Sequence, residues 1–360
     1  MKTNNVSETP AENRFRPYHI AILALLIVGT FVIARREHGP KNEVPFQMEE
    51  GSVFGTTYHI KYQCEKDLHD SIIARLKDID HSLSMFNPSS TVSCINRGES
   101  MEADSLITCV WNMSQSICQE TEGAFDPTVA PLVNIWGFGF KKRQIPDKAI
   151  IDSLRELVGW QRISIQNGRF CKEDPRMVID FSAVAKGFGV DHVANLFRNM
   201  GIQNFMVEIG GEIVANGTNP KGEAWRIGIN KPDDDSTGTN NELQEVIEVH
   251  NGALATSGNY RNFYMEGGRK IAHTIDPKTG YPAQQSILSS TVKAPSCAMA
   301  DGYATAFMVM GMERAQEFLK KHPQLQAYFI YADENGSIKL GIPPYSTKRK
   351  ETNDNLNKKI

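Results

Sequence analysis

The 360-residue chain has no apolar run that reaches the roughly 20 residues a membrane-spanning helix needs; its longest, Ile20 to Ala34, falls short. Nor does it carry an excess of basic charge. Lys and Arg number 39 against 42 Asp and Glu, a formal net charge of −3, so no global field favours nucleic acid. The six cysteines (Cys64, Cys94, Cys109, Cys118, Cys171, Cys297) include no C-x-x-C pair, which excludes the usual zinc and redox motifs. They read mostly as small buried hydrophobes, with one oxidised pair left open if the chain is exported. Internal repeats are absent. The acidic run in Lys231 to Glu242 lacks the glycine and glutamate spacing of a calcium loop and reads as a solvated insertion.

Flanking charges give the short apolar run its meaning. Arg14, Arg16 and His19 precede it and Arg35-Arg36 closes it, the layout of a secretory signal or of a minimal uncleaved anchor. Val32-Ile33-Ala34 offers a small-residue cleavage site, whereas the arginines just after it favour retention. No cysteine lies nearby to carry a lipid. The expected organisation is a signal or anchor segment with linker (residues 1–45), one catalytic unit (46–345) and a polar, basic, disordered tail (346–360).

Periodicity then sets out the elements. Ser52 to Gln63 alternates as a strand around Gly55-Thr56-Thr57, and Leu68 to Leu83 has helical spacing through Ile72, Leu76, Ile79 and Leu83. Asn, Pro and Ser make Met85 to Ser90 a loop. A helix is expected over about Ser105 to Glu120, and another should start at Asp126-Pro127, where an N-cap precedes a proline. Trp136-Gly137-Phe138-Gly139 is either a ligand wall or a packed corner. Met177-Val178-Ile179 reads as a strand feeding, past the N-cap candidate Ser182, a helix that runs to Gly201. With Asp180 at the strand end, free N–H groups over Ser182 to Ala185 and Lys186 one turn on, this junction can hold a phosphate or a metal-phosphate pair. Phe205 to Ile209, Trp225 to Ile229, Val246 to Val249 and Ala253 to Tyr260 read as strands, and His273 to Gly280 as a polar turn. In the helix expected after Ser296, Asp301 and Thr305 are four residues apart and share a face, a sensible partial Mg2+ site. The irregular alternation of strands and helices favours α+β over a doubly wound parallel sheet.

Taken in order, Gly55-Thr56-Thr57-Tyr58, the Ser82 to Ser90 loop, G-A-F-D-P-T-V-x-P-L-V-N-I-W-G-F-G, D-F-S-A-V-A-K-G-F-G-V-D, E-I-G-G-E, T-S-G-N-Y, H-T-I-D-P-K-T-G and A-D-G-Y-A-T-A resemble the FAD:protein FMN transferase (ApbE) family. The resemblance covers about Phe46 to Gly341. It implies an α+β flavin-transferase fold of mixed, largely antiparallel sheets flanked by helices, with Mg2+ as cofactor and FAD as substrate. The implied reaction moves the FMN moiety to a threonine or serine hydroxyl of a target protein, such as an electron-transfer flavoprotein subunit, and releases AMP. It also implies placement outside the cytoplasm, on the periplasmic side of the inner membrane. Residue by residue, Asp301 and Thr305 match the family's side-chain magnesium ligands and Ala183 the backbone ligand. Phe54, Phe86, Ala124, Phe125, Asp126, Asp180, Lys186 and Ile275 match positions around FAD. Phe54 and Phe86 depart from a common Met and Tyr, and the second change removes a hydroxyl. His273 is the candidate base, since a neutral imidazole accepts a proton near pH 7, with Asp180 and Asp276 as the other options. A Mg2+-dependent FAD pyrophosphatase and a flavin-binding protein without transfer activity are the alternative readings.

Overall fold

A turn in which two consecutive residues take positive φ opens the folded part. Phe54 (φ 53°) and Gly55 (φ 75°) reverse the chain between strands Phe46–Val53 and Thr56–Gln63, which pair antiparallel. The alternation expected as one strand from Ser52 to Gln63 is thus a hairpin, because paired positive φ values match the twist of a two-residue β-turn. The computed structural model describes residues 44–139, 146–230, 243–259, 263–266, 269–333 and 338–341. The Ile20 to Ala34 run, the Lys231 to Glu242 stretch and the tail after Tyr345 lie outside the described residues. Among those described, no helix is long and apolar enough to cross a membrane.

The hairpin begins an eight-stranded sheet that continues through Phe205–Ile209, Glu212–Asn216, Asn251–Gly258, Ile287–Ala294, Gln326–Ala332 and Ile338–Gly341. Every neighbouring pair is antiparallel, and the strands lie in the sheet in their order along the chain. The fold is α+β, with helices and small hairpins inserted between successive strands.

Side chains alternate across the sheet as the strand period of two requires. Val207 and Val214 face the helical side, where they join Ile72, Leu76, Val193 and Phe197. Ile213 and Ala215 face the other side, against Trp225, Ile227, Ile247 and Val249 of the Trp225–Asn230 and Leu243–Val249 hairpin. A larger core gathers Trp111, Phe181, Tyr303, Phe307 and Phe329. Helix His69–Leu83 presents Ile72, Leu76, Ile79 and Leu83 inward, the expected stripe. Helix Ser105–Glu120 is capped by Asp104, whose side chain accepts from Ile107 N. The cysteines are all free thiols. Only Cys118 and Cys297 are buried, while Cys109 and Cys171 are exposed, so the expectation of mostly buried cysteines is corrected: they sit on the outward positions of a helix and a hairpin.

Two helices fix the centre of the molecule. Ala185–Asn199 ends in an αL glycine, Gly201, with Ile202 N donating to Phe197 O and Gly201 N to Arg198 O, a Schellman closure. Cys297–Lys321 starts on Ser296, whose hydroxyl accepts from Met299 N. The helices cross at their first turns, where Gly187 is required: a Cβ there would lie 2.5 Å from Cys297 O and 2.9 Å from Ala298 Cα. Each helix sends a carboxylate to the other's start. Asp191 accepts from Cys297 N and Ala298 N, both at 2.9 Å, and Asp301 accepts from Gly187 N at 3.1 Å. Burial pushes the Asp191 carboxyl up to about 6, against the two N–H donors.

Asp191→Ala should lower the unfolding free energy by about 1–3 kcal/mol for each donor stranded. The readout is a lower denaturant midpoint at unchanged slope; an unchanged midpoint would mean that the Cys297 and Ala298 N–H groups find other acceptors.

Candidate active site

The helix crossing forms the floor of a cavity of about 1140 Å³, above the roughly 300–1,000 Å³ of ordinary small-molecule pockets. Phe54, Phe86, Ala124, Phe125, Asp126, Asp180, Ala183, Lys186, His273, Ile275, Asp301 and Thr305 all line it. Apart from Asp276, which does not line it, the site residues read from the sequence therefore converge on one space, although they come from segments far apart in the chain.

The junction before the first helix differs from its expected form. Met177 to Asp180 is not a strand. The Asn96 side chain takes the place of a strand partner, donating from Nδ2 to Ile179 O and accepting from Ile179 N, both at 2.8 Å. Ser182 does not cap the helix, which begins at Ala185 with no side-chain cap. The N–H groups expected to be free are mostly paired: Ser182 N donates to Asp180 Oδ1 at 2.8 Å, and Val184 N and Ala185 N both donate to Phe181 O. The geometry is that of a closed turn, not of an open anion cradle. One departure serves the site. Gly187 N lies in the first turn of the helix, where backbone donors have no intrahelical acceptor, and it donates to Asp301 Oδ2.

Asp301 is 2 % exposed, and burial raises its carboxyl pKa, opposed by Lys186 and the Gly187 N–H. Among the described residues no hydrogen bond reaches its Oδ1. Thr305 Oγ1 lies one turn on, 3.0 Å from Ser257 Oγ, and keeps acceptor capacity beyond that bond. A carboxylate, a hydroxyl and the Ala183 backbone carbonyl are hard oxygen donors suited to Mg2+, which completes its octahedron with water and phosphate. Among the described residues no group of three or more His, Cys, Asp and Glu could hold a metal.

Lys186 stands between two acids, 2.8 Å from Glu212 Oε1 and 3.8 Å from Asp301 Oδ2. Burial penalises its ammonium, but Asp301 and Glu212 outweigh that cost and raise its pKa. Burial likewise raises the Glu212 carboxyl, against the pull of Lys186. Glu212 and Ser257 had no role in the reading of the sequence. The signal available for Glu212 was the Gly210-Gly211 pair before it, whose φ values of 61° and 101° form the tight turn between Phe205–Ile209 and Glu212–Asn216 and bring the glutamate to the cavity.

The far wall is set by Asp126. Its Oδ1 accepts from Thr128 N at 2.8 Å and from Thr128 Oγ1 at 2.6 Å, and its Oδ2 accepts from Trp160 N at 3.2 Å. Burial raises its pKa against these three bonds. The carboxylate thus ties down its own turn and is no helix cap; the short helix starts later, at Ala130, with Pro131 in its first turn. Asp180 N donates to Pro127 O at 2.7 Å, joining this wall to the floor. His273 meets Phe138 edge-on at 6.3 Å, and Phe138 stacks on Tyr264 at 5.2 Å, so the Trp-Gly-Phe-Gly segment is both packed corner and cavity wall. Ile275 is buried against Leu132 and Ile151. The three phenylalanines differ. Phe54 rests on the first helix, where a Cβ at Gly189 would come 2.9 Å from its ring; Phe125 is 3 % exposed within the main core; Phe86 is 74 % exposed at the rim.

Comparison with known proteins shows the family and the fold. A model of the ApbE family matches residues 54–329. An FAD:protein FMN transferase from Haemophilus influenzae is 37% identical over 305 residues, covering 80% of this chain and 87% of that protein. Its counterpart from Vibrio cholerae is 37% identical over 297 residues, covering 79% and 87%. A solved flavin transferase ApbE from Vibrio cholerae superposes with a TM-score of 0.75 at 36% identity, over 83% of this chain and 97% of that one. An apo flavinyl transferase ApbE from Pseudomonas stutzeri gives 0.75 at 30% identity, over 84% and 96%.

The contrast among the phenylalanines is measurable. Phe125→Ala should cost about 3–5 kcal/mol of stability, as a core truncation does, and Phe86→Ala should stay within about 0.5 kcal/mol. Chemical unfolding of both variants checks this; equal costs would contradict the division between core and rim.

Proposed function

The chain belongs to the ApbE family, and on that premise we propose that it transfers the FMN moiety of FAD to a threonine or serine hydroxyl of a partner protein, with Mg2+ as cofactor and AMP released. The observation that carries this reading is the convergence of the candidate flavin, metal and base positions on one cavity around a half-buried Lys186 held between the buried Glu212 and Asp301. Ala183 O, Asp301 and Thr305 Oγ1 would hold the metal. When bound, Mg2+ neutralises the diphosphate and stabilises charge on the departing phosphate.

The residues of the chain supply the rest. Phe54 and Phe86 offer apolar faces for the flavin and adenine rings. The Lys186 ammonium offers positive charge to the diphosphate from a site of low dielectric, where such charge is most effective. His273 accepts the proton of the acceptor hydroxyl as its oxygen bonds to the flavin-side phosphorus. The bond from that phosphorus to the bridging oxygen breaks, and AMP leaves with the electron pair. Asp180, one of the two other candidate bases, has Oδ1 engaged by Ser182 N and is better placed to hold the turn. The acceptor fits an electron-transfer flavoprotein subunit, since such proteins carry flavin to move electrons.

Incubation of the folded part with FAD, Mg2+ and a candidate acceptor should add the mass of an FMN group to the acceptor. Free FMN plus AMP would mean a hydrolase, and unchanged FAD a binding protein. Asp301→Ala should remove most of the transfer while the protein stays folded, because it deletes a ligand without opening a large cavity. Full activity of that variant at ordinary Mg2+ would sink the metal assignment.

We also propose that the chain works on the periplasmic side, held or led there by the basic and apolar Arg14 to Arg36 segment. Reporter fusions after Glu50 should be active outside the cytoplasm; activity confined to the cytoplasm would contradict the placement.

A further inference from the structure

Glu212 is 2 % exposed, and only one of its oxygens is used. Oε1 accepts from Lys186 Nζ at 2.8 Å, while Oε2 is buried with no hydrogen-bond partner among the described residues. A carboxylate buried in this state is costly unless its charge has work to do. Its one partner is a cation that stands closer to Glu212 than to Asp301, at 2.8 Å against 3.8 Å. Asp301 Oδ2, the oxygen facing Lys186, already takes the Gly187 N–H. Without a second acid, the only carboxylate among the described residues within reach of the ammonium would be Asp301, and Lys186 would close on it as an internal counter-ion.

We propose that Glu212 is a positioning residue that holds the Lys186 ammonium away from Asp301, leaving that carboxylate open to Mg2+ and the ammonium aimed at the substrate diphosphate. The inference rests on the metal reading given above. The Gly210-Gly211 turn is the device that sets it: two residues of positive φ place Glu212 at the first position of its strand, with Val214 on the same face packed in the helical core. The arrangement separates two cations that compete for one anion. Lys186 serves the substrate end and the metal serves the floor, and Glu212 keeps them from exchanging places.

The test is Mg2+ binding to the flavin-free protein by titration calorimetry, with Mn2+ binding by electron paramagnetic resonance as a second readout. Glu212→Gln, close in shape, should weaken the metal by about 10-fold or more, as loss of an outer-shell partner does. Lys186→Met should tighten it. The decisive comparison is the double variant: with Lys186 absent there is nothing for Glu212 to hold, so Glu212→Gln on the Lys186→Met background should change the affinity by less than about twofold. Equal losses on both backgrounds would overturn the proposal and leave Glu212 as a simple source of negative field. An unchanged affinity in Glu212→Gln alone would overturn it as well. If Glu212→Gln fails to fold, Glu212→Asp, which keeps the charge but shortens the reach, carries the same comparison. Asp301→Ala in the same titration separates the two readings. If it does not alter Mg2+ binding, the metal assignment fails; if it abolishes binding while Glu212→Gln is neutral, only the present inference fails.

Discussion

The site depends on an exchange of carboxylates between two helix starts. Asp191 of the first helix takes two N–H groups from the first turn of the second, and Asp301 of the second takes one from the first turn of the first. Helix N-termini carry unpaired donors and partial positive charge, so each acid meets both needs at once. Gly187 lets the backbones come close enough for the exchange, since a Cβ there would overlap Cys297 and Ala298. Ala183, Lys186, Asp301 and Thr305 are all within about a turn of this crossing, and their relative positions follow from it.

Around that fixed point the sheet supplies reach. Its strands occur in sequence order, so each connection can leave the sheet, build part of the cavity and return one place further along. The connection from Gln63 to Phe205 carries the loop of Phe86, the Asp126 turn, Asp180 and Lys186. The connection from Gly258 to Ile287 carries His273 and Ile275. The opening hairpin turn brings Phe54 and the Gly210-Gly211 turn brings Glu212. Ordinary antiparallel pairing thereby delivers residues from most of the chain to one cavity.

Much of this was legible from local pattern. Helix Ser105–Glu120 has the expected bounds, Ser296 caps the long helix as its letters suggest, and Gly201 closes the first helix. The features that escaped depend on partners distant in sequence. Asn96 replaces a strand for Ile179 across 83 residues, so Met177 to Ile179 has the composition of a strand without its pairing. Asp126 looks like a cap until Trp160 and Thr128 claim both its oxygens. Phe54 turns the first hairpin with a φ that phenylalanine seldom adopts, which hid the turn inside an alternating run. Motif order, not periodicity, pointed to the set of residues that share the cavity. Even so, Glu212 was passed over inside a quoted motif, because its meaning lies in Lys186 and in the turn that precedes it.

The order of strands has a consequence in time. Asp301 and Thr305 lie near the end of the folded chain, while the elements they complete begin before residue 60. The helix crossing is therefore among the last contacts that synthesis makes possible, and the closure it requires is long-range and slow. A chain halted before residue 297 possesses Lys186 and Glu212 without the acid and hydroxyl that would share a cation, and Asp191 without the N–H groups it caps. Such a fragment has no means of assembling the floor of the cavity. Assembly of the cavity floor and completion of the fold are one event.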